Sequence, residues 1–304
     1  MDWLVYVIGG LFIAGVGLCV WMFLIEPRCY RIWHVVVPRT DRRGENDVAV
    51  RTGRLPRLRI LHITDTHFRE RDSAKLDFLR RVSDDDYDLV FLTGDLIETP
   101  GGLGPCVEMA QALHARCGTY AVLGGHDHFR GTDLIHKYFS LGSRRLPPPS
   151  QREANPTARL RTELVGVGVD VLADENRRIE VSVGRDLAII GLRDAFCFDC
   201  NYEAAWDGVR DGEPTIVIAH SPDVLEEVRR RGADLAFFGH THGGQVRFPV
   251  IGTVLTRSNL EPARARGVFR EGETVFSINR GVGAGWGSNF RLLCPPEVTV
   301  MDVS

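Results

Sequence analysis

The chain has 304 residues, of which 44% are hydrophobic and 25% are charged, and its formal net charge is −3. A chain of this length and composition can fold as one sizeable globular domain with an appendage, which excludes a protein that is disordered throughout. The nearly balanced charge gives no reason to expect nucleic acid as the main partner.

The seven cysteines argue against a secreted disulfide framework, because their number is odd and they are scattered along the chain. This cysteine usage favours a reducing compartment. Cys197 and Cys200 form a single C-x-x-C motif, which in a redox protein would open a helix after a strand. Because no second pair accompanies the motif, a structural role is favoured over redox chemistry or metal binding.

An uncharged run extends from Trp3 to Ile25. At about 1.5 Å per residue such a helix reaches roughly 35 Å, enough to cross a hydrocarbon core of about 30 Å. A cleaved signal peptide would show a positive segment before a shorter apolar core, so a retained transmembrane helix is favoured. We therefore predict a membrane anchor at 3–25, a polar juxtamembrane connector at 26–56 and a catalytic domain at 57–304.

Basic residues follow the predicted anchor and none precedes it. They are Arg28, Arg31, Arg39, Arg42 and Arg43. The positive-inside rule then predicts a single-pass protein of the inner, cytoplasmic membrane whose domain faces the cytoplasm. Gly10 and Ala14 form a small-xxx-small pair that could support helix pairing, but the sequence leaves the oligomeric state open.

Beyond the connector, short apolar runs alternate with helical patterns, which predicts an α/β fold with largely buried sheets. Strands are predicted at Arg59–Thr64, Leu89–Thr93, Tyr120–Leu123, Leu187–Leu192, Thr215–Ala219, Leu235–Phe238, Val275–Asn279 and Val298–Val303. Helices are predicted at Ser73–Val82, Pro105–Ala115, Thr132–Leu141, Thr157–Val165 and Pro222–Arg230. The stretch 142–156, rich in Pro and Arg, is predicted to be a long exposed loop or a lid.

Histidine and aspartate residues gather where the predicted strands end. They are Asp65 and His67, Asp95, His126 to His128, His220, and His240 with His242. Ligands of an open α/β sheet lie outside the carboxyl ends of its strands, so these side chains are expected to converge on one site. The remaining histidines are assigned no role: His34, His62, His114 and His136.

A mixture of carboxylates and imidazoles is typical of a transition-metal site. Such a donor set suits Mn, Fe, Zn or Co better than Ca or Mg, whose sites are dominated by oxygen. One carboxylate that bridges two ions about 3.5 to 4 Å apart would give a hydrolytic centre. Asp95 fits the position of this bridge.

In chain order the blocks are Asp65-Thr-His67, Gly94-Asp95, Gly125-His126-Asp127, His220 and Gly239-His-Thr-His242. They resemble the ordered motifs of the calcineurin-like metallophosphoesterases: D-x-H, G-D, G-N-H-D or G-N-H-E, a lone H, and G-H-x-H. The segments G-H-T-H-G-G-Q and P-P-E are similar to those of the bacterial membrane-anchored branch. The resemblance covers about residues 58–303 and implies a sandwich of two sheets flanked by helices.

The resemblance also implies two divalent metal ions, with manganese favoured over iron, zinc or cobalt. The implied ligands are Asp65, His67 and His242 for the first ion, His220 and His240 for the second, and Asp95 between them. His126 would lie near the leaving group and Asp127 would orient it. The implied chemistry is attack on phosphorus by water that the metals activate, with His126 stabilising the transition state or protonating the leaving oxygen.

One position departs from the family pattern. Gly125 stands where the family has the Asn that binds the second metal. Glycine has no side chain to coordinate, so the second ion must lose a ligand, accept water or borrow a ligand from elsewhere. His128 is near in sequence, but this proximity alone does not assign it.

A domain tethered to a membrane meets lipid-linked phosphates at high effective concentration. The favoured partners are therefore the bilayer and a phosphorylated lipid or nucleotide-lipid. Within the branch that the chain resembles, hydrolysis of UDP-2,3-diacylglucosamine in lipid A synthesis is one candidate. Five arginines could hold anionic head groups, or belong to a solvated loop: Arg144, Arg145, Arg152, Arg159 and Arg161. The alternatives are a broad phosphodiesterase or phosphatase for soluble substrates and a catalytically degenerate membrane-bound binding protein.

Overall fold

The computed structural model describes residues 2–38, 54–131, 152–254, 256, 258–285 and 289–304. Helix α1 spans Asp2–Val20 and continues through a π turn, Trp21–Ile25, and a 3-10 turn, Glu26–Arg28. The whole segment Trp3–Arg28 is long and apolar enough to cross a membrane, and most of its side chains are exposed. It contains the predicted span and extends three residues beyond it.

The first sheet has six strands, β1 (Arg31–Val37), β2 (Leu58–Ile63), β3 (Leu89–Thr93), β4 (Thr119–Val122), β5 (Val169–Val171) and β14 (Glu297–Val303). Their spatial order is β1-β14-β2-β3-β4-β5. Strands β2 to β5 run parallel, and β14 runs antiparallel to β2. The carboxyl ends of β2, β3 and β4 therefore meet at one edge.

The second sheet also has six strands, β6 (Glu175–Ser182), β7 (Arg185–Gly191), β8 (Thr215–Ile218), β9 (Leu235–Phe238), β12 (Gly267–Glu271) and β13 (Thr274–Ile278). Their order is β12-β13-β9-β8-β7-β6, and β7, β8, β9 and β13 run parallel. A small hairpin is formed by β10 (Arg247–Phe248) and β11 (Gly252–Thr253).

Helices cover the outer faces of both sheets. The helices after α1 are α2 (Ser73–Ser83), α3 (Leu103–Ala112), α4 (Gly125–His128), α5 (Thr157–Gly166), α6 (Tyr202–Ala205) and α7 (Leu225–Arg230). The apolar side chains of α2, α3 and α5 pack with the first sheet in one cluster. Those of α6 and α7 pack with the second sheet in another.

A third apolar cluster lies between the two sheets, where Phe91 of β3 faces Phe237 of β9 with ring centroids 5.2 Å apart. Alternate residues of each strand point into this layer and the others point toward the helices, because successive side chains of a strand lie on opposite faces. Both faces of each sheet are thus buried, which explains the continuous apolar runs in the sequence. The predicted α/β sandwich flanked by helices is confirmed.

Strand β1 lies inside the segment that the sequence places in the connector. It pairs along its whole length with β14, from Arg31 opposite Glu297 to Val37 opposite Val303. Most of its side chains are exposed or half-buried, so backbone pairing rather than burial holds it, and a burial pattern could not reveal it. The predicted helix Thr132–Leu141 lies outside the described residues, as does most of the stretch 142–156.

The layer between the sheets should carry much of the stability. Phe237 is fully buried and packs against Phe91 and His62. Phe237→Ala is expected to lower the free energy of unfolding by about 3–5 kcal/mol, measured by chemical denaturation of the full chain in detergent. The matched control Phe248→Ala, on the half-exposed hairpin, should change it by less than about 0.5 kcal/mol. Similar losses in both variants would contradict the packing argument.

Candidate active site and metal centre

The predicted site residues lie together at the carboxyl ends of the parallel strands of both sheets. Loops after β2, β3 and β4 carry Asp65 with His67, then Asp95, then His126; loops after β8 and β9 carry His220, then His240 with His242. Most of them line one cleft, whose walls include His67, Asp95, Gly125, His126, Phe129, Arg152, Asp194, Cys197, His220, His240, His242 and Gln245.

Much of the site backbone is held in the left-handed region that side chains other than glycine rarely adopt. The positive φ values are 50° at Asp65, 43° at His67, 51° at Asp95, 67° at His240 and 50° at His242. Each such residue costs of the order of 1–3 kcal/mol and persists only where the surroundings impose it. Five of the six predicted metal ligands share this geometry, which marks the loops as built for the site.

Hydrogen bonds fix these loops from behind. The Asp65 amide donates to the Gly94 carbonyl at 3.0 Å, and the His67 amide donates to the Asp95 carbonyl at 2.9 Å. The buried Lys75 ammonium donates to the Thr66 carbonyl at 2.6 Å and to an Asp72 carboxylate oxygen at 2.9 Å. The loop after β2 is therefore tied both to the loop after β3 and to helix α2.

The first cluster of possible metal ligands contains Asp65, His67 and His242, whose ligand atoms all lie within 4.8 Å of one another. The His242 Nε2 atom is 3.3 Å from Asp65 Oδ1 and also 3.3 Å from His67 Nε2. The three residues were predicted to hold the first metal ion, and the structure brings them together.

The tautomer of His67 suits a metal ligand. Its Nδ1 atom lies 2.7 Å from the carboxylate of Glu98, which can only accept, so Nδ1 carries the proton. The lone pair of Nε2 is then directed toward Asp65 and His242. A carboxylate behind a coordinating imidazole is the usual arrangement in metalloproteins.

The second cluster contains Asp65, Asp95 and His220. The His220 Nδ1 atom donates to the Thr93 carbonyl at 2.8 Å, so Nε2 is the ring nitrogen that faces Asp95 Oδ2, at 3.2 Å, and that a metal ion would use. The same Asp95 oxygen is 3.6 Å from His67 Nε2. One carboxylate oxygen of Asp95 thus lies between the two clusters, as a bridging ligand would.

His240 lies at the border of the second cluster. Its ring is beside that of His220, with centroids 5.2 Å apart, and beside Phe196 at 4.8 Å. Its backbone amide donates to Asp65 Oδ2 at 3.0 Å. Among the described residues His240 joins none of the close clusters, so its predicted role as a ligand of the second ion stays a prediction.

The protonation states of the clusters fit a cation. Burial lowers the pKa of His67 and of His242, so both rings are neutral near pH 7, the form that coordinates metals. Burial also acts to lower the pKa of His220, but nearby carboxylates, Asp95 first, outweigh burial and hold this pKa well above its ordinary value. A proton on His220 thus offsets buried negative charge, which a metal ion would offset in its place.

His126 lies on α4 at the mouth of the cleft, with its ring 4.7 Å from that of His67. Its Nδ1 atom is 2.9 Å from the same Glu98 oxygen that contacts His67. The imidazoles of His126 and His67 hold the pKa of Glu98 well below its usual range, although burial acts to raise it. Glu98 is therefore an ionised, buried carboxylate that orients two histidines.

The role predicted for Asp127 needs correction. Its Oδ1 atom accepts from the amides of Leu96 and Ile97 at 2.7 and 2.9 Å, and its Oδ2 atom accepts from Gly124 at 2.9 Å. Burial and the nearby Asp95 raise the pKa of Asp127 to about 7. Asp127 thus joins the loop after β3 to α4, and the carboxylate that contacts the His126 ring is Glu98.

The space beside Gly125 is filled from the second sheet. A Cβ atom at Gly125 would lie 2.8 Å from Cys197 Sγ and 3.3 Å from Asp194 Oδ2. Cys197 and Cys200 are both free thiols, and the short helix α6 begins only after them at Tyr202. The C-x-x-C pair therefore lacks the position of a redox motif, although Cys197 reaches the cleft.

The five arginines proposed to hold head groups do not form one set: three are described, and they differ in position. Arg152 lines the cleft, whereas Arg159 and Arg161 lie on α5 in ion pairs with Glu163 and Glu175. The other two, Arg144 and Arg145, lie outside the described residues. Of the three described arginines in this group, only Arg152 lines the cleft where a substrate would bind.

Sequence reasoning missed two acidic residues at the site, Glu98 and Asp194. Glu98 is the third residue after Asp95, and Asp194 is the third residue after β7 ends at Gly191. The signal that identified the histidines, a polar residue just after a parallel strand, applies to both. Lone acidic residues are common at such positions, so nothing in the sequence alone selects these two.

The calcineurin-like phosphoesterase family model matches residues 58–244. The chain belongs to this family. A UDP-2,3-diacylglucosamine pyrophosphatase, LpxG, of Chlamydia trachomatis is 26% identical over 80% of this chain and 83% of its own length. Phosphodiesterase YaeI of Escherichia coli is 28% identical over 81% and 82%, and metallophosphoesterase YkuE of Bacillus subtilis is 24% identical over 81% and 79%.

The family is one of dinuclear metal enzymes, and the two clusters supply the matching ligand groups. The chain is therefore a metal-dependent phosphoester hydrolase, as predicted. Asp65, Asp95, His67, His220 and His242 fit such a centre because their ligand atoms converge, and the other polar atoms of Asp65, Asp95, His67 and His220 are bonded to the protein.

Mutations of Glu98 and of Asp127 should have different effects. Glu98→Gln is expected to lower turnover of a phosphoester and affinity for Mn by about 10- to 100-fold, since the ring orientation of His67 and His126 depends on its charge. Asp127→Ala should instead lower the melting temperature, because three amides lose their acceptor. The exposed Glu70→Gln serves as control. A fully active Glu98→Gln variant would contradict the assignment.

Proposed function

We propose that the chain hydrolyses a phosphoester or phosphoanhydride bond of a lipid-linked substrate at the cytoplasmic face of the inner membrane. The observation that carries this proposal is the direct connection between the anchor helix and the metal centre. The Cys294 amide donates to Glu26 Oε1 at 2.5 Å, at the end of the anchor. The Cys294 thiol donates to the carbonyl of the metal-ligand residue His242 at 3.3 Å.

Further contacts join the anchor to the domain. The Arg291 amide donates to the Met22 carbonyl at 3.0 Å, and the rings of Phe23 and Phe290 lie 5.4 Å apart. Arg291 is itself fully buried, with its guanidinium donating to the carbonyls of Gly283 and Cys294. The anchor thus ends against the domain rather than on a flexible tether, which supports a position of the cleft close to the bilayer surface.

An exposed apolar surface is formed by the β10–β11 hairpin and Leu293. We call it the apolar hairpin surface, and it consists of the exposed side chains of Phe248, Val250, Ile251, Val254 and Leu293. The hairpin begins at Arg247, five residues after His242, and the Arg247 amide donates to the Leu292 carbonyl at 2.9 Å. An exposed apolar surface beside a membrane helix favours contact with lipid.

These features favour a substrate with acyl chains in the bilayer and a phosphate in the cleft. UDP-2,3-diacylglucosamine, the substrate in the name of the chlamydial relatives, has this form. The arginines that follow the anchor support a cytoplasmic orientation of the domain, where such a nucleotide-lipid would be met. Arg152 on the cleft wall supplies a positive charge for a phosphoryl group.

The metal pair, for which manganese is the favoured ion, would supply activated water and neutralise charge on the phosphoryl oxygens. The protein residues position the remaining groups. Glu98 holds Nδ1 of His126, so Nε2 is the ring nitrogen that would donate a proton to the leaving oxygen. Asp95 accepts the His126 amide at 2.8 Å, which fixes this ring relative to the ligands.

The first experiment is hydrolysis of UDP-2,3-diacylglucosamine by the purified full chain in detergent with Mn. Release of UMP and acylated glucosamine phosphate that a chelator abolishes is the expected result. A model phosphodiester is assayed in parallel. Turnover of the model ester alone would reject the lipid substrate, and turnover of neither would favour the degenerate binding protein.

The apolar hairpin surface provides a second test. The double variant Val250→Asp, Ile251→Asp is expected to raise KM for the lipid substrate in vesicles by at least about tenfold, since charged side chains oppose insertion into lipid. Its turnover of a soluble ester should be unchanged. The control is Val183→Asp, which is 98% exposed at the β6–β7 turn, at the opposite end of the sheet. Equal losses on lipid and soluble ester would contradict lipid contact.

A further inference from the structure

The proposed two-metal centre leaves one ligand unassigned, because Gly125 has no side chain where the family has an Asn. Three side chains lie near enough to be considered, Asp194, Cys197 and His128. They differ in burial, in the direction of their polar atoms and in charge. The geometry distinguishes among them.

Asp194 is 1% exposed, and its two oxygens have different surroundings. Its Oδ1 atom accepts from the Phe196 amide at 3.0 Å, which closes a turn after β7. Its Oδ2 atom has no hydrogen-bond partner among the described residues. A buried carboxylate oxygen without a partner costs several kcal/mol unless a cation or water compensates it.

The Oδ2 atom of Asp194 is also directed into the right space. It lies 3.3 Å from the position that a Cβ atom at Gly125 would occupy, and Asp194 lines the cleft beside Asp95 and His220. The side chain of an Asn at position 125 would extend into this region. Asp194 therefore reaches from the second sheet into space left by the shortened residue of the first.

The topology supports the same assignment. Strands β7, β8 and β9 are parallel neighbours, and each ends at the site. His220 follows β8 and His240 follows β9, and Asp194 occupies the equivalent place after β7. The second sheet thus offers a row of three side chains to the second metal position.

The two other candidates fit less well. The Cys197 thiol lies nearer to the Gly125 position, but sulfur is a soft donor that suits zinc or copper, whereas a carboxylate oxygen suits Mn. The ring of His128 packs on Phe198 with centroids 4.8 Å apart, and neither residue is among those that line the cleft.

We propose that Asp194 is a ligand of the second metal ion and replaces the Asn that this chain lacks at Gly125. This inference rests on the proposed two-metal centre. Exchange of a neutral amide oxygen for a carboxylate adds one negative charge to the second site. The site should then hold a divalent cation more strongly than an amide in the same place would.

The test uses the full chain in detergent and measures binding of Mn by calorimetry and by electron paramagnetic resonance. Asp194→Ser removes Oδ2 but keeps a hydroxyl that can accept the Phe196 amide, so the turn should survive. Asp194→Asn keeps the shape of the side chain but has a single oxygen, which can either accept the Phe196 amide or face the metal position. Cys197→Ala and the exposed Asp199→Asn of the same loop are the matched controls.

The wild-type chain and both controls should bind two Mn ions and show the spectrum of a coupled pair. Asp194→Ser should weaken the second Mn by at least about tenfold and show the six-line spectrum of single ions, with an unchanged melting temperature. Asp194→Asn should bind the second Mn with intermediate affinity. If Asp194→Ser lowers the melting temperature, the affinity of Asp194→Asn for the second Mn tests the assignment instead.

Two unchanged sites in Asp194→Ser or in Asp194→Asn would overturn the assignment while leaving the two-metal centre intact. Loss of the second Mn in Cys197→Ala but not in Asp194→Ser would assign the thiol instead. A single Mn in the wild-type chain would instead reject the two-metal centre itself, and the role of Asp194 with it.

Discussion

The burial of several carboxylates at one point is the constraint on which the site depends. Asp65, Asp95, Glu98 and Asp194 are each no more than 3% exposed, and all lie at the ends of parallel strands. Ionised carboxylates so far from water are tolerated only where positive charge or hydrogen bonds compensate them. The imidazoles compensate part of this charge, and two divalent cations would compensate the rest. Metal binding and local stability are therefore expected to be coupled in this protein.

The strained backbone and the glycine positions follow from the same requirement. Ligands from two sheets can converge only if their loops approach closely. A Cβ atom at Gly239 would lie 2.0 Å from the Thr64 hydroxyl and 2.3 Å from Asp65 Oδ2, so only glycine permits this contact. Five of the six predicted ligands have positive φ values, a geometry that such close approach imposes on their loops. The rigid layer of apolar side chains between the sheets supplies the stability that these costly conformations require.

The sequence predicted the fold class and the family, and it selected most of the side chains that the structure brings together. All three depend on features that are local in the chain. The strand β3 was predicted with its observed ends, and Asp65, Asp95 and His220 were found because each follows a strand. The errors arose from contacts between distant segments. Strand β1 is held by pairing with β14, and the partner of His126 proved to be Glu98 rather than its neighbour Asp127. Asp194 becomes noticeable only when the loop after β7 is placed opposite Gly125.

The link between the N-terminal apolar helix and His242 bears on what a membrane would contribute to the reaction. A flexible tether would raise only the local concentration of lipid. Here Cys294 joins Glu26, at the end of the helix, to the backbone of His242, a predicted metal ligand. If the helix spans a membrane as proposed, this link would fix the orientation of the cleft relative to the bilayer. An acyl chain that stayed in the membrane would then limit the depth at which its phosphate can lie, so depth in the bilayer would select among substrates before any contact with the proposed metal ligands.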